Sequence, residues 1–166
     1  MVLSRLQAPL GVFDFILVLD HLKPGFNLGK IIRTANALGC REVHLVGISM
    51  FDPSPTKGTL KQTKTKILET AALSFESLKA EGYQLFAMSP DAKLTLGQIE
   101  IPEKSAFIFG HEEFDLSFSP DDFPDIKRMR IAQFGIVESL NVSVAAALAC
   151  YEYTRQRGFV PIRSEN

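Results

Sequence analysis

The run Asn27-Leu28-Gly29-Lys30-Ile31-Ile32-Arg33-Thr34-Ala35-Asn36-Ala37-Leu38-Gly39 decides the fold, because of what flanks it. Leu28, Ile31, Ile32, Ala35 and Leu38 recur at helical spacing, with Asn27 read as the N-cap and Gly39 as the C-terminal stop. Before it, residues 13–19 form a β-rich apolar run; after it, residues 43–46 form a second, ending at Gly47. Working outward, residues 83–88, 105–109 and 129–131 are further strand candidates, and residues 74–80, stopped near Gly82, read as a short helix. Residues 140–156 predict the longest helix, started by Ser139 as N-cap. It is apolar on nearly every side through Ala149, so it should be buried all round, in the core or in a subunit interface. Residues 52–66, rich in Pro, Gly, Thr and Lys, read as a long loop or irregular helix. The alternation of strands and helices predicts an α/β fold, a mainly parallel sheet with helices on both faces.

The 166 residues fit one domain, and 46% hydrophobic with 22% charged residues is the balance of a globular protein with a full core. No repeat, low-complexity tract or linker divides the chain, so residues 1–166 are expected to form a single domain. Cys40 and Cys150 belong to no CxxC pair and have no histidine at ligand spacing, which predicts buried free thiols and a reducing, cytoplasmic setting. Residues 1–10 lack the apolar stretch of a secretory signal, and the longest apolar run, residues 15–19, is too short to span a bilayer. A net charge of −1 argues against extensive neutralisation of nucleic-acid phosphate by one protomer, although two local basic clusters exist. One is Lys57, Lys61, Lys64 and Lys66; the other is Arg155, Arg157 and Arg163.

Three polar groups interrupt this apolar framework. Arg33 lies about 200° of helical rotation from Ile31 and so projects away from the packed stripe. It is either available to a phosphate, a carboxylate or a substrate, or a solvated surface arginine. Gly110-His111-Glu112-Glu113 follows a strand candidate, at the end of the sheet where α/β proteins bind ligands. There Glu112 could orient a cation such as Arg33, or the run is simply an acidic turn. Ser139 and Asn141 open the last helix, and Asn141 brings a donor and an acceptor into an otherwise apolar segment. His21, His44 and His111 show no zinc spacing, so no metal is expected. GxGxxG, P-loop and GxSxG signatures are all absent from the sequence.

Taken together, the three runs resemble the three motifs of the SpoU family of the SPOUT superfamily of RNA methyltransferases. The family's N-x-G-x-I-x-R-T-A-x-A-x-G is matched at Asn27, Gly29, Ile31, Arg33, Thr34, Ala35, Ala37 and Gly39. Its G-x-E-x-x-G-L is matched at Gly110, Glu112 and Leu116, with Asp115 in place of the last glycine. Its I-P-M and S-L-N-V-S-V-A are matched at Ile131 and from Ser139 to Ala145, with Ala132 and Gln133 where Pro and Met are usual. The resemblance covers nearly the whole chain, and is greatest to tRNA guanosine-2′-O-methyltransferases.

This resemblance implies a deep C-terminal trefoil knot, S-adenosyl-L-methionine as cofactor, a homodimer with each site near the interface, and methylation of a ribose hydroxyl in structured RNA. tRNA is favoured over 23S rRNA, because the first motif begins at Asn27 and no RNA-binding domain precedes it. It further implies that Arg33 acts on the ribose 2′-hydroxyl as base or activator, supported by Asn27, Glu112, Ser139 and Asn141. Backbone around Met88, Gly110, Ile131, Ser139 and Leu140 should line the cofactor pocket. RNA contacts are expected from Arg155 and Arg157, then from Lys57 and Lys61. A non-catalytic RNA-binding relic is the alternative from another class; it would have no reason to keep Arg33, Glu112, Ser139 and Asn141 together.

Overall fold

A computed structural model describes residues 8–113 and 115–158. Its seven-stranded sheet has the order β3-β2-β1-β6-β4-β7-β5, and every pairing is parallel. The strands are β1 (Phe15–Asp20), β2 (Glu42–Val46), β3 (Thr65–Leu68), β4 (Gln84–Met88), β5 (Leu94–Thr95), β6 (Ser105–Phe109) and β7 (Lys127–Arg130). The helices are α1 (Phe26–Ala37), α2 (Ala71–Ala80) and α3 (Val142–Gln156). Side chains alternate across each strand, so one face of β1 buries Phe15, Leu17 and Leu19 against α1 and α3. The other face buries Ile16 and Val18 in a cluster with Ala71, Phe75 and Leu78 of α2. The expected parallel sheet with helices on both faces is therefore present.

Two short edge strands escaped the sequence reading. Residues 52–66 contain two 3-10 turns, Ser54–Thr56 and Thr59–Gln62, but Thr65 and Lys66 already belong to β3. An edge strand buries little, so its pattern is weak, and lysine on it is an ordinary guard against further pairing. β5 has two residues and no periodicity to detect. α2 starts a turn earlier than residue 74, at a Thr70 cap whose Oγ1 accepts from the Leu73 N–H.

Both predicted N-caps are corrected. α1 begins at Phe26 with Gly25 in the cap position, because the Asn27 side chain is engaged across the site instead. α3 begins at Val142, and its cap is Asn141, whose Oδ1 accepts from the Ser143 N–H at 2.9 Å; Ser139 lies outside the helix. Within one copy of the chain, α3 is buried on one side only. Ala146, Ala149, Cys150 and Tyr153 face the core, while Val144, Leu148 and Tyr151 form an exposed stripe. Cys40 and Cys150 are free and buried, and burial pushes the Cys150 thiol up to about 12 and Cys40 well above its ordinary value. No helix among the described residues is long and apolar enough to cross a membrane.

Candidate active site

The carboxyl ends of β4, β6 and β7 and the segments leading into α1 and α3 enclose a cavity of about 550 Å³. That is within the usual size of a small-molecule site, about 300–1,000 Å³. Asn27, Glu112, Ser139 and Asn141 line it, from three separate stretches of sequence. So do Met88, Gly110, Ile131 and Leu140.

A chain of hydrogen bonds joins the three motifs along one wall. Asn141 Nδ2 donates to Asn27 Oδ1 at 3.2 Å, and Asn27 Nδ2 donates to Glu112 Oε1 at 3.2 Å. The Lys23 N–H donates to Glu112 Oε2 at 3.3 Å, and the Lys23 ammonium pairs with Glu113. Each asparagine thus gives with its amide nitrogen and receives with its oxygen, which orients both side chains in the sense set by the carboxylate.

The loop carrying Glu112 is shaped by its glycine and by an unusual aspartate. A Cβ on Gly110 would lie 2.6 Å from the Asp115 carbonyl carbon, so only glycine lets the two legs of the loop close. His111 and Asp115 pair as an antiparallel bridge. Asp115 has φ +61°, so it holds the left-handed conformation that the motif's glycine would supply, and aspartate tolerates it better than most residues. Beyond it, Ser117 donates from its N–H (2.6 Å) and hydroxyl (2.7 Å) to the fully buried Asp20 carboxylate at the end of β1. His21 Nδ1 lies 2.8 Å from the same carboxylate. The sequence reading missed Asp20, Lys23 and Ser117. Asp20 had a readable signal, since an aspartate at the carboxyl end of a buried strand sits where α/β proteins place ligands.

Burial alone would raise the Glu112 carboxyl. Its own N–H, the Asn27 amide and the Lys23 N–H hold the carboxylate more strongly, and the net direction is down from 4.5. A lowered folded pKa contributes stability that is present above the unfolded value and is lost as pH falls through the folded one. Glu112→Gln should therefore melt below the wild type at pH 7, and the gap should shrink as pH falls below about 4.5. Thermal melts across pH 3–7 read this, and a gap independent of pH would remove the carboxylate from the network.

Of the residues expected to serve catalysis or hold the cofactor, Arg33 alone does not line the cavity. It stands about 240° round and about 9 Å along α1 from Asn27, so Glu112 pairs with Asn27 and not with Arg33 as expected. Arg33 is exposed and makes no hydrogen bond or ion pair with another described residue. It shares a stripe with Gly29 and Asn36, which meet the lysine-bearing turns. A Cβ on Gly29 would lie 2.7 Å from Pro55, and Asn36 Nδ2 donates to the Gln62 carbonyl at 3.0 Å. Lys57 and Lys61 on that segment are exposed.

The C-terminal arginines are already engaged. Arg155 binds both carboxylate oxygens of Glu152, at 2.7 and 2.8 Å. Arg157 donates to the Ile101 carbonyl at 2.8 Å and covers the Tyr153 ring at 4.6 Å. Arg163 lies outside the described residues. Among the described residues, no group of three or more His, Cys, Asp or Glu side chains is arranged to hold a metal.

Comparison with known proteins agrees with this geometry. The sequence model described as the SpoU rRNA Methylase family matches residues 14–151. A tRNA (guanosine(18)-2′-O)-methyltransferase of Thermus thermophilus is 30% identical over 150 residues, spanning 87% of this chain and 76% of that enzyme. Three other relatives are covered over 38%, 53% and 64% of their length. The solved structure of the A. aeolicus TrmH/SpoU tRNA modifying enzyme superposes with a TM-score of 0.77 at 25% identity, over 93% of this chain and 82% of that one. A structure described in terms of 2-OH methylation of C/U34 on tRNA gives a TM-score of 0.72 at 26% identity, over 86% and 95%. With its fold, its motif-built cavity and a match through 138 consecutive positions, from 14 to 151, the chain belongs to the SpoU family of RNA methylases.

Proposed function

We propose that this protein is an S-adenosyl-L-methionine-dependent RNA 2′-O-ribose methyltransferase acting on tRNA. The observation that carries the reading is the hydrogen-bonded wall Asn141–Asn27–Glu112, which ties all three motifs to one cavity. The cavity's residues fit the cofactor. Met88, Ile131 and Leu140 offer apolar walls to a purine, and Glu112 and Glu113 offer negative charge to a ligand carrying a sulfonium and an ammonium. When bound, that cofactor supplies an electrophilic methyl group with a good leaving group already attached.

The chain's own residues then hold the acceptor ribose in line with that methyl and polarise its 2′-hydroxyl. Arg33 serves as a donor, since a guanidinium presents several N–H groups and no acceptor. Its planar fork suits an RNA phosphate together with the neighbouring hydroxyl, so that the 2′-proton passes to that phosphate and on to solvent while the guanidinium lowers the cost of charge on the 2′-oxygen. Lys57 and Lys61, beside the Arg33 stripe, extend the positive surface for the RNA backbone. Arg155 and Arg157 contribute only if RNA displaces their present partners.

A homodimer completes the site in this reading. Arg33 faces away from its own cavity, and the exposed stripes of the packed helices α1 and α3 carry Phe26, Val144, Leu148 and Tyr151. A second copy covering those stripes would bury them and bring an arginine to each site. The insertion of β7 between β4 and β5, followed by the return of the chain to α1, supports a trefoil-knotted C-terminal part. Two buried free thiols support a cytoplasmic setting for this single methyltransferase domain.

Transfer of labelled methyl from S-adenosylmethionine to total tRNA and, separately, to rRNA tests the reading, with nuclease mapping of the product. Ribose label on tRNA is expected. Label on rRNA alone would retain the chemistry and change the substrate to the 23S alternative. Cofactor binding without label on either RNA would favour the non-catalytic relic.

A further inference from the structure

The segment after β7 carries Gln133, which lines the cavity. Its Oε1 is shut off from solvent and has no hydrogen-bond partner. Native proteins seldom leave a buried carboxamide oxygen unmet, because it has lost its water without replacement. Thr65 Oγ1 is the other buried oxygen of this kind among the described residues, but it lies on edge strand β3, far from the cavity. At position 133 the resembled motif has methionine, so the orphaned acceptor is a feature of this chain.

The position of Gln133 selects its partner. The Gly110–Asp115 loop follows β6 and Gln133 follows β7, with β4 between them, which separates the two by about 10 Å at normal strand spacing. The three carboxylates that line the cavity, Glu112, Glu113 and Asp115, belong to the loop side and suit the cofactor's cationic groups. Gln133 instead shares its side with Met88, Pro90 and Ile131, the apolar walls that suit a purine ring. A neutral acceptor there calls for a neutral donor at the edge of a flat apolar ligand.

We propose that Gln133 Oε1 accepts a hydrogen bond from the exocyclic 6-amino group of the cofactor's adenine, making Gln133 a specificity-determining residue for the nucleobase. The proposal rests on the cavity being the S-adenosylmethionine site. It is tested by calorimetric titration of the full chain with S-adenosylhomocysteine and with the analogue whose purine carries hydrogen in place of the 6-amino group. The wild type should bind the amino form about tenfold more tightly, the order of one hydrogen bond's net worth. Gln133→Met should bring the two affinities within about twofold, while Gln133→Glu, which keeps an acceptor, should retain the preference. The melting temperature of ligand-free Gln133→Met should match or exceed the wild type, since the variant loses an unmet acceptor and no hydrogen bond with another described residue. Equal binding of both ligands by the wild type, or an undiminished preference in Gln133→Met, would overturn the assignment and leave the cofactor site standing. Failure of either ligand to bind the wild type would overturn the cofactor site and the assignment together.

Discussion

Arg33→Ala is expected to lower methyl transfer at least about a hundredfold, the scale seen when one preorganised donor to a developing oxyanion is removed. The same substitution should leave S-adenosylhomocysteine affinity within about twofold and folding stability within about 0.5 kcal/mol, the range for an exposed residue without partners. This separation follows from geometry. Arg33 does not line the cavity, forms no hydrogen bond or ion pair with another described residue, and shares its stripe with the lysine-bearing turns instead. Arg33→Lys should recover little, because an ammonium cannot hold a phosphate and a hydroxyl in one planar fork. Single-turnover transfer to tRNA reads the first quantity, and calorimetry and urea melts read the others. If affinity fell together with activity, Arg33 would be a structural support of the cofactor pocket.

Tyr153→Ala should cost about 4 kcal/mol of folding stability, in the range measured for buried aromatic truncations. Tyr153 is fully buried on the inner face of α3, with its ring 4.6 Å from Phe15 and 6.0 Å from Phe13. Its hydroxyl donates to the Glu103 carbonyl at 2.6 Å, and Arg157 covers the ring from outside. Alanine would leave a cavity between α3 and β1 and an unmet carbonyl beside it. Tyr153→Phe keeps the packing and should cost only about 1 kcal/mol, the net worth of the hydrogen bond. The consequence reaches the site, because α3 carries Asn141 at its start and holds it against Asn27. Cofactor affinity should therefore weaken in Tyr153→Ala and stay unchanged in Tyr153→Phe. Urea denaturation that placed Tyr153→Ala within about 1.5 kcal/mol of the wild type would mean that α3 is held mainly by its other contacts.

The sequence carried the buried strands well. Residues 105–109 were read with the observed limits, and the strands on either side of α1 were placed to within two residues. These segments are buried on both faces, so most of their positions are apolar and the run stands out, with Asp20, Glu42, His44 and Ser105 as the exceptions. The caps were read less well. Asn27 and Ser139 both have the chemistry of an N-cap, yet neither is one. A capping side chain needs only its own helix, whereas Asn27 had an alternative in Glu112, 85 residues away, which no local pattern reveals. Gln133 reads in the sequence only as a departure from a motif. Its unmet oxygen exists because tertiary packing removes it from water.

Spacing and composition along the chain were enough for the parallel α/β architecture, the order of its main elements and the family to which its motifs belong. Those features depend on periodicity and on residue types at fixed offsets, which are local quantities. The pairing of Glu112 with Asn27, the absence of Arg33 from the cavity and the burial of Asp20 behind Ser117 came only from the folded chain. Each depends on which of several chemically suitable partners is brought within hydrogen-bond reach. That choice is made by packing between segments as many as 114 residues apart in sequence, the separation of Asn27 and Asn141.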